Sequence, residues 1–498
     1  MRHTAWLPLL VSFLGIALPC DASGQASQEI SPKEMIAKWM AAGTAAGNQG
    51  DFYDNRDGGH SRLDVRLPGL ARVQYKTKEE RRRRGWGLQT RILPHVTFGN
   101  SSTAGPRGGN GRICYCVRQL LVIAYLQYTG NNLYVYPEHA DHDADGKGDL
   151  LPTNTPYMII SQGSSGSDKA FIRAVGYALA GFHPEVKKRL VKSGLLMPTV
   201  QMIFRMSNFN ISGKQEYLSG KAHPTVFQGK DVDLVKMIEA AHGIKADEIP
   251  PMVQLKAIEE DLPVQGRDYF ESVNRSEAFA DTQCVVARIF RGHQYERRMI
   301  VSAEQSYDIN DRPLTFHWVV LRGDPDRIRI IPKNPSKSVV ELRIPYHPRR
   351  EIRWEPKIHS NRVDIGVFVH NGVHYSAPGF VTYFSLANER RKYLADGRIK
   401  EIDYTAGDYV DRRLTDRKPW RDVYEYSSRA EYTGWARYHP KGGIEQFLPD
   451  GRQVLKRDTI GRPVVTAEVE YRGEPDTRYG RRLKTVRKGS PSGSEKED

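Results

Sequence analysis

Near residue 265 the hydrophobic period of this chain changes, and that change constrains the fold more than any other feature. Between about residues 88 and 265, short apolar runs alternate with longer ones of helical spacing. "RILPHVTFG", "NLYVYPE" and "YMIIS" read as strands, and "RICYCVRQLLVIAYLQYTG", "DKAFIRAVGYALAGF" and "PEVKKRLVKSG" as helices. "TVQMIFR" then reads as a strand, and "DVDLVKMIEAAHG", closed by Gly243, and "PPMVQLKAIEED" as helices. Strands alternating with helices predict a largely parallel α/β sheet. Beyond 265, from "RRMIVSAEQSYDINDRPLTFHWVVLRGD" to "NRVDIGVFVHNGVHYSAPGFVTYFSLAN", apolar and polar residues alternate with period two between turn residues, the pattern of a β-sandwich. The expected fold class is therefore multidomain, α/β followed by all-β.

A length of 498 residues is too great for one core. Arg2 and His3 precede the apolar run "AWLPLLVSFLGIALP", and small residues follow in "CDASGQAS", the order of a secretory signal peptide. Cleavage is expected after Gly24 or Ala26. Pro19 stands where a lipid-anchor signal wants a small residue, which argues against Cys20 as an anchor. The expected organisation is a signal peptide at 1–24, a helix-and-loop extension at 25–87, the α/β domain at 88–265 and a connecting segment at 266–296. A β-sandwich at 297–388, a hairpin-rich β region at 389–480 and a disordered tail at 481–498 complete it. Ser31, Pro32 and Glu34 form a capping box that opens the extension's helix, and Gly43 is expected to end it. In the hairpin-rich region, Asp-Gly and Gly-Gly turns recur between aromatic-rich strands. Its aromatics, Trp420, Tyr424, Tyr432 and Trp435 among them, suit either hairpin cores or stacking on sugar rings.

The stretch "SAEQSYDINDRPLTFHW", with Ser306, Asp308, Leu314 and Trp318, resembles the opening of a PKD or related Ig/cadherin-like module, in which the Trp enters the core. "DIGVFVHNGVHYSAPGFVTYF" is similar to the last two strands of such modules. The resemblance covers residues 297 to 388 and implies an extracellular spacer or binding module without catalysis of its own.

The formal net charge is +15. The excess is scattered, as in "KEERRRRGWG" and through the C-terminal third, and no nucleic-acid motif accompanies it, so no nucleic-acid partner is expected. On an exported protein such a surface attracts an extracellular or envelope polymer, or an acidic surface. Secretion, or residence in the periplasm or cell envelope, is expected, with no membrane span in the mature chain. Four cysteines make no disulfide framework, although one bridge from Cys114 or Cys116 to Cys284 would suit an oxidising compartment. No organic cofactor is expected.

In a parallel sheet the loops leaving the carboxyl ends of the strands gather on one edge, where such folds place ligands. Four expected strands end in polar clusters there: "NSST", "HADHDAD", "QGSSGSD" and "MSNFN". In "QGSSGSD", the weak resemblance of "YMIISQGSSGSDKAFIRAVGYALAGF" to the strand–nucleophile–helix unit of α/β-hydrolases makes Ser165 the nucleophile, with Ser164 and His139 as further catalytic candidates and Gly166 as an oxyanion donor. An Asp and a His should follow the serine, and His223 and His242 are available. The same residues, Gly163 to Ser167, would equally cradle an anion, or simply turn the chain into a helix capped by Ser or Asp168. Asp141, Asp143, Asp145 and Asp149 surround Gly146 with the spacing of a calcium loop, without the closing Glu of an EF-hand, since Pro152 stands at that position. His139 and His142 would divert the loop toward a transition metal, and a solvated acidic turn is the third reading. Two functions fit these features: an exported, calcium-stabilised protein binding a polymer or surface ligand, or a secreted serine hydrolase acting through Ser165.

Overall fold

The computed structural model describes residues 31–45, 52–54, 72–73, 96–100, 118–138, 151–163, 166–271, 276–407, 410–411, 413–476 and 480–488. The first helix, α1 (Pro32–Ala45), starts at the expected capping box: the Glu34 carboxylate accepts from Ser31 N–H at 3.1 Å and its hydroxyl at 2.8 Å. It runs through Gly43, because an interior glycine only weakens a helix.

Five strands, β1 (Phe52–Asp54), β2 (Arg72–Val73), β3 (Thr97–Asn100), β4 (Asn132–Glu138) and β5 (Met158–Gln162), form one sheet in the order β2-β1-β3-β4-β5. Every pairing in it is parallel, as the alternating pattern predicts, but β1 and β2 come from residues 25–87, expected as a helix-and-loop extension outside the sheet. Leu133 to Tyr136 and Met158 to Ile160 are all buried, the continuous apolar run of a strand covered on both faces. Around the sheet lie α2 (Arg118–Thr129), α3 (Lys169–Gly181), α4 (Pro184–Ser193), α5 (Leu196–Ser207) and α6 (Leu234–Gly243). Pro184 opens α4, and Gly194 closes it at φ 71°, where a Cβ would lie 2.7 Å from the Thr129 carbonyl oxygen. "TVQMIFR", read as a strand, lies in α5. Nearly every residue of that helix is buried, so it carries no polar face and its apolar run mimics a strand.

"PPMVQLKAIEED", read as a helix, is extended: Met252 bridges Tyr307, and β6 (Lys256–Glu260) pairs with β9 (Glu296–Ser302). The segment 266–296, expected as a connection, contributes β7 (Ala278–Thr282), β8 (Val285–Phe290) and the start of β9. The next strands are β10 (Thr315–Arg322), β11 (Arg329–Pro332), β12 (Val339–Pro345), the hairpin β13 (Arg350–Ile352) and β14 (Glu355–Ser360), β15 (Val363–His370) and β16 (Gly379–Ser385). They build a five-stranded sheet, β10-β15-β16-β8-β7, and a four-stranded one, β11-β12-β9-β6, with β16 parallel to β8. Trp318 is half-buried at the border of the core, and its indole donates to the Lys337 carbonyl at 2.8 Å.

The remainder is a seven-stranded antiparallel meander of successive strands: β17 (Arg390–Tyr393), β18 (Ile399–Asp403), β19 (Arg421–Tyr426), β20 (Tyr432–Tyr438), β21 (Ile444–Phe447), β22 (Gln453–Arg457) and β23 (Pro463–Ala467). A last hairpin, β24 (Val469–Asp476) and β25 (Gly480–Arg487), follows, so residues 481–487, expected to begin a disordered tail, are instead a strand paired along its length with β24. The aromatics Trp420, Tyr424 and Trp435 are buried with Phe270 and Phe447, so they form the core of this unit.

One continuous apolar core joins the parallel sheet and its helices to the nine-stranded part. The meander is tied on by charge: buried Glu271 accepts from Arg291 at 2.8 Å and Thr415 at 2.6 Å, and also from Lys418. Burial alone would raise the pKa of Glu271, yet Lys418 and Arg291 hold it far below the usual carboxylate range.

Candidate functional site

The Gly/Ser loop has the expected strand–turn–helix form. Gly163 (φ 116°) and Gly166 (φ 99°) both adopt backbone conformations that disfavour side chains, and the helix α3 begins at Lys169. Ser167 folds back onto the strand, its hydroxyl 2.8 Å from that of Ser161. Asp168 precedes the helix but makes no side-chain cap. Ser164 and Ser165 lie outside the described residues, as do His139, Asp141, Asp143, Asp145 and Asp149. Among the described residues no cluster of three or more His, Cys, Asp or Glu could hold a metal ion. Cys284 is buried with a free thiol, which burial pushes up to about 12, while Cys114 and Cys116 lie outside the described residues.

The two histidines expected downstream have different surroundings. The His223 ring is buried: Nε2 donates to the Tyr217 carbonyl, leaving Nδ1 to accept from Arg205 at 3.4 Å. Burial first, and the Arg205 charge second, lower its pKa well below the ordinary value, so both nitrogens are committed on a neutral ring. His242 stacks between Trp39 and His183, with Nδ1 3.0 Å from the Gly181 carbonyl.

The sheet edge leads instead to a groove. Phe227 N–H donates to Ile160 and its carbonyl accepts from Gln162, both at 2.8 Å, so residues 226–228 extend the parallel sheet beyond β5. The chain then leaves at the ligand-bearing edge through Gln228, Lys230 and Asp231, and the Asp231 carbonyl accepts from Phe209 N–H at 2.8 Å, drawing in Asn208 and Asn210. These residues form one wall of a cleft of about 610 Å³. Leu321 and Arg322 of β10, and Ile352 and Trp354 of the β13–β14 hairpin, form the other. A second cleft, of about 600 Å³, adjoins it and shares Gly220, Leu321, Arg322, Ile352 and Trp354. "MSNFN", expected to follow a strand, follows α5 but still reaches this site.

Beneath the groove runs a buried polar seam. Arg362 donates to Asp364 at 2.9 Å, to the Leu151 carbonyl at 2.6 Å and to the Thr225 hydroxyl. Asp364 also accepts from Thr382 at 2.8 Å. Gly220 is required at the close approach of the walls: a Cβ there would overlap the Leu321 carbonyl and lie 2.7 Å from Trp354 Nε1. Trp354 is 42% exposed, and the Arg353 guanidinium lies 4.7 Å from its ring centre. Sequence reasoning passed over Trp354 and Lys230; the lone Trp in the charged turn "REIRWEPK" was the available signal.

No family model matches the chain, and no curated protein matches it. Among solved structures, it is similar to a nucleoside hydrolase-related hypothetical protein from Saccharophagus degradans associated with carbohydrate metabolism. That likeness has 10% identity over 70% of this chain and 75% of the other, with a TM-score of 0.19. A second likeness, to catalytically inactive OgpA from Akkermansia muciniphila in complex with an O-glycopeptide, has 11% identity over 71% and 85% of the two chains, with a TM-score of 0.14. At these scores neither likeness bears on fold or function.

Proposed function

We propose that this chain is an exported modular binding protein of the cell envelope or extracellular space. Its ligand is a polymer segment lying in the groove between the parallel-sheet unit and the β10–β15 face. The observation that carries this reading is that two clefts lie side by side, sharing Gly220, Arg322 and Trp354 in their walls. Each cleft alone has the volume of a typical small-ligand site, roughly 300–1,000 Å³; together, they suit a chain better than a compact molecule. The buried seam and shared core keep the groove formed before binding, which lowers the ordering cost of association. The net charge of +15 draws anionic polymers toward it. The test is retardation in gels containing soluble polymers: polygalacturonate, xylan, polyglutamate and polyphosphate. Retardation by at least one, competed by its short oligomers, is expected; free migration in all four contradicts the reading.

The Gly163–Gly166 turn favours a second reading, a serine hydrolase with Ser165 as nucleophile. Labelling by a fluorophosphonate probe, lost in Ser165→Ala, supports it. An unlabelled protein removes it.

A further inference from the structure

We infer that the groove takes a polysaccharide, with one sugar ring stacked on the indole of Trp354; this rests on the polymer-binding reading above. Trp354 is 42% exposed within the cleft lining, packed close to Gly220, with the Arg353 guanidinium 4.7 Å from its ring centre on one side. The exposed remainder of the indole offers the apolar C–H face of a pyranose an extended contact at little conformational cost. Hydroxyls each donate and accept, so a polyhydroxylated chain also needs both kinds of partner along the walls. Asn208, Asn210 and Gln228 supply amides with both, Lys230 donates and Asp231 accepts.

The charges on the lining favour the same class over a simple polyanion. Lys221 is held by Glu216, Arg350 pairs with Asp324 at 3.2 Å, and Arg362 is spent on Asp364 within the seam. The remaining lining charge is mixed rather than uniformly cationic: Lys230, Arg353 and Arg322, the last 3.9 Å from Asp364, beside Asp231 and Glu351, the latter 4.0 Å from His359. A polyphosphate or polyglutamate chain gains nothing from an indole and meets two carboxylates. The chain-wide positive charge then acts at long range, concentrating acidic polysaccharides near the groove in a salt-dependent manner.

The test compares wild type, Trp354→Ala and Trp354→Phe against polygalacturonate, xylan, polyglutamate and polyphosphate by affinity gel and calorimetry. The expected result is binding of at least one polysaccharide at 0.5 M salt, weakened roughly tenfold or more by Trp354→Ala and restored to within about threefold by Trp354→Phe. Binding of polyglutamate or polyphosphate alone, lost at high salt and indifferent to Trp354, would overturn the polysaccharide assignment while leaving a polymer groove in place. Polysaccharide binding unchanged in Trp354→Ala overturns the stacking site. Binding of none of the four sinks the underlying reading along with it.

Discussion

Arg362 donates to the carbonyl of Leu151 at 2.6 Å, across 211 residues of chain, and so fixes the loop entering β5 to the start of β15. The same guanidinium neutralises Asp364, which is almost wholly enclosed. Two units that the sequence presents as successive domains therefore share one core and one buried polar seam, with the groove along their junction.

Removing that guanidinium is expected to be severe. Arg362→Met leaves buried Asp364 with the Thr382 hydroxyl and Arg322, 3.9 Å away, in place of its close guanidinium partner, and should cost about 3–5 kcal/mol. Arg343→Met, which breaks a solvent-screened pairing with Glu296 and Glu341, should cost far less. Urea denaturation followed by tryptophan emission checks the contrast, and equal losses would mean that the seam is not what joins the units.

Gly220→Ala should impair both the groove and the strand behind it. The added methyl must displace the Leu321 backbone carbonyl of β10 as well as Trp354. Weaker polymer retardation, shifted tryptophan emission and a lowered melting temperature are expected. Unchanged retardation would place the ligand elsewhere.

Acid should loosen the fold through His347. Its ring is buried, with Nδ1 2.7 Å from the Pro345 carbonyl and Nε2 accepting from the Asp324 N–H at 3.1 Å. Burial above all, with the Arg327 and Arg350 charges, lowers its pKa to about 4. His293, lowered to about 4 chiefly by burial, behaves alike. A folded pKa below the unfolded value of roughly 6.5 means that the unfolded chain binds more protons between those values. Stability is then complete above about pH 6.5 and falls as pH drops toward 4, by up to about 1.4 kcal/mol per unit for each ring. Urea midpoints at pH 7.5, 5.5 and 4.5 should decline in wild type and decline less in His347→Gln, whose amide keeps both contacts. Equal slopes would show that His347 titrates normally.

The meander should depend on Glu271. Glu271→Gln keeps the shape but leaves Arg291 and Lys418 short of an anion, and about 3 kcal/mol or more of destabilisation is expected. Limited proteolysis should then cut first between residues 389 and 420; an unchanged digestion pattern would show that apolar contacts alone hold the meander.

How much of this was legible depended on distance along the chain. Strands β3 to β5 of the parallel sheet, the α1 capping box, the glycine turn after β5 and the successive hairpins are local, written in spacing and turn residues, whereas β1 and β2 lay in what read as loop. The helix α5 was not, because burial on all sides erased its period. Strand β8 was hidden in what read as a connection, since its partner β16 lies some hundred residues away, and β7 is the edge strand paired to β8. The groove was illegible for the same reason: Asn208 and Lys230 meet Trp354 only through packing, and no local pattern joins them.

Hydrogen exchange with and without a bound polymer locates the ligand directly. The account predicts slowed exchange in residues 208–231 and 350–354 with little change across the meander at 390–467. Protection confined to the meander would contradict it.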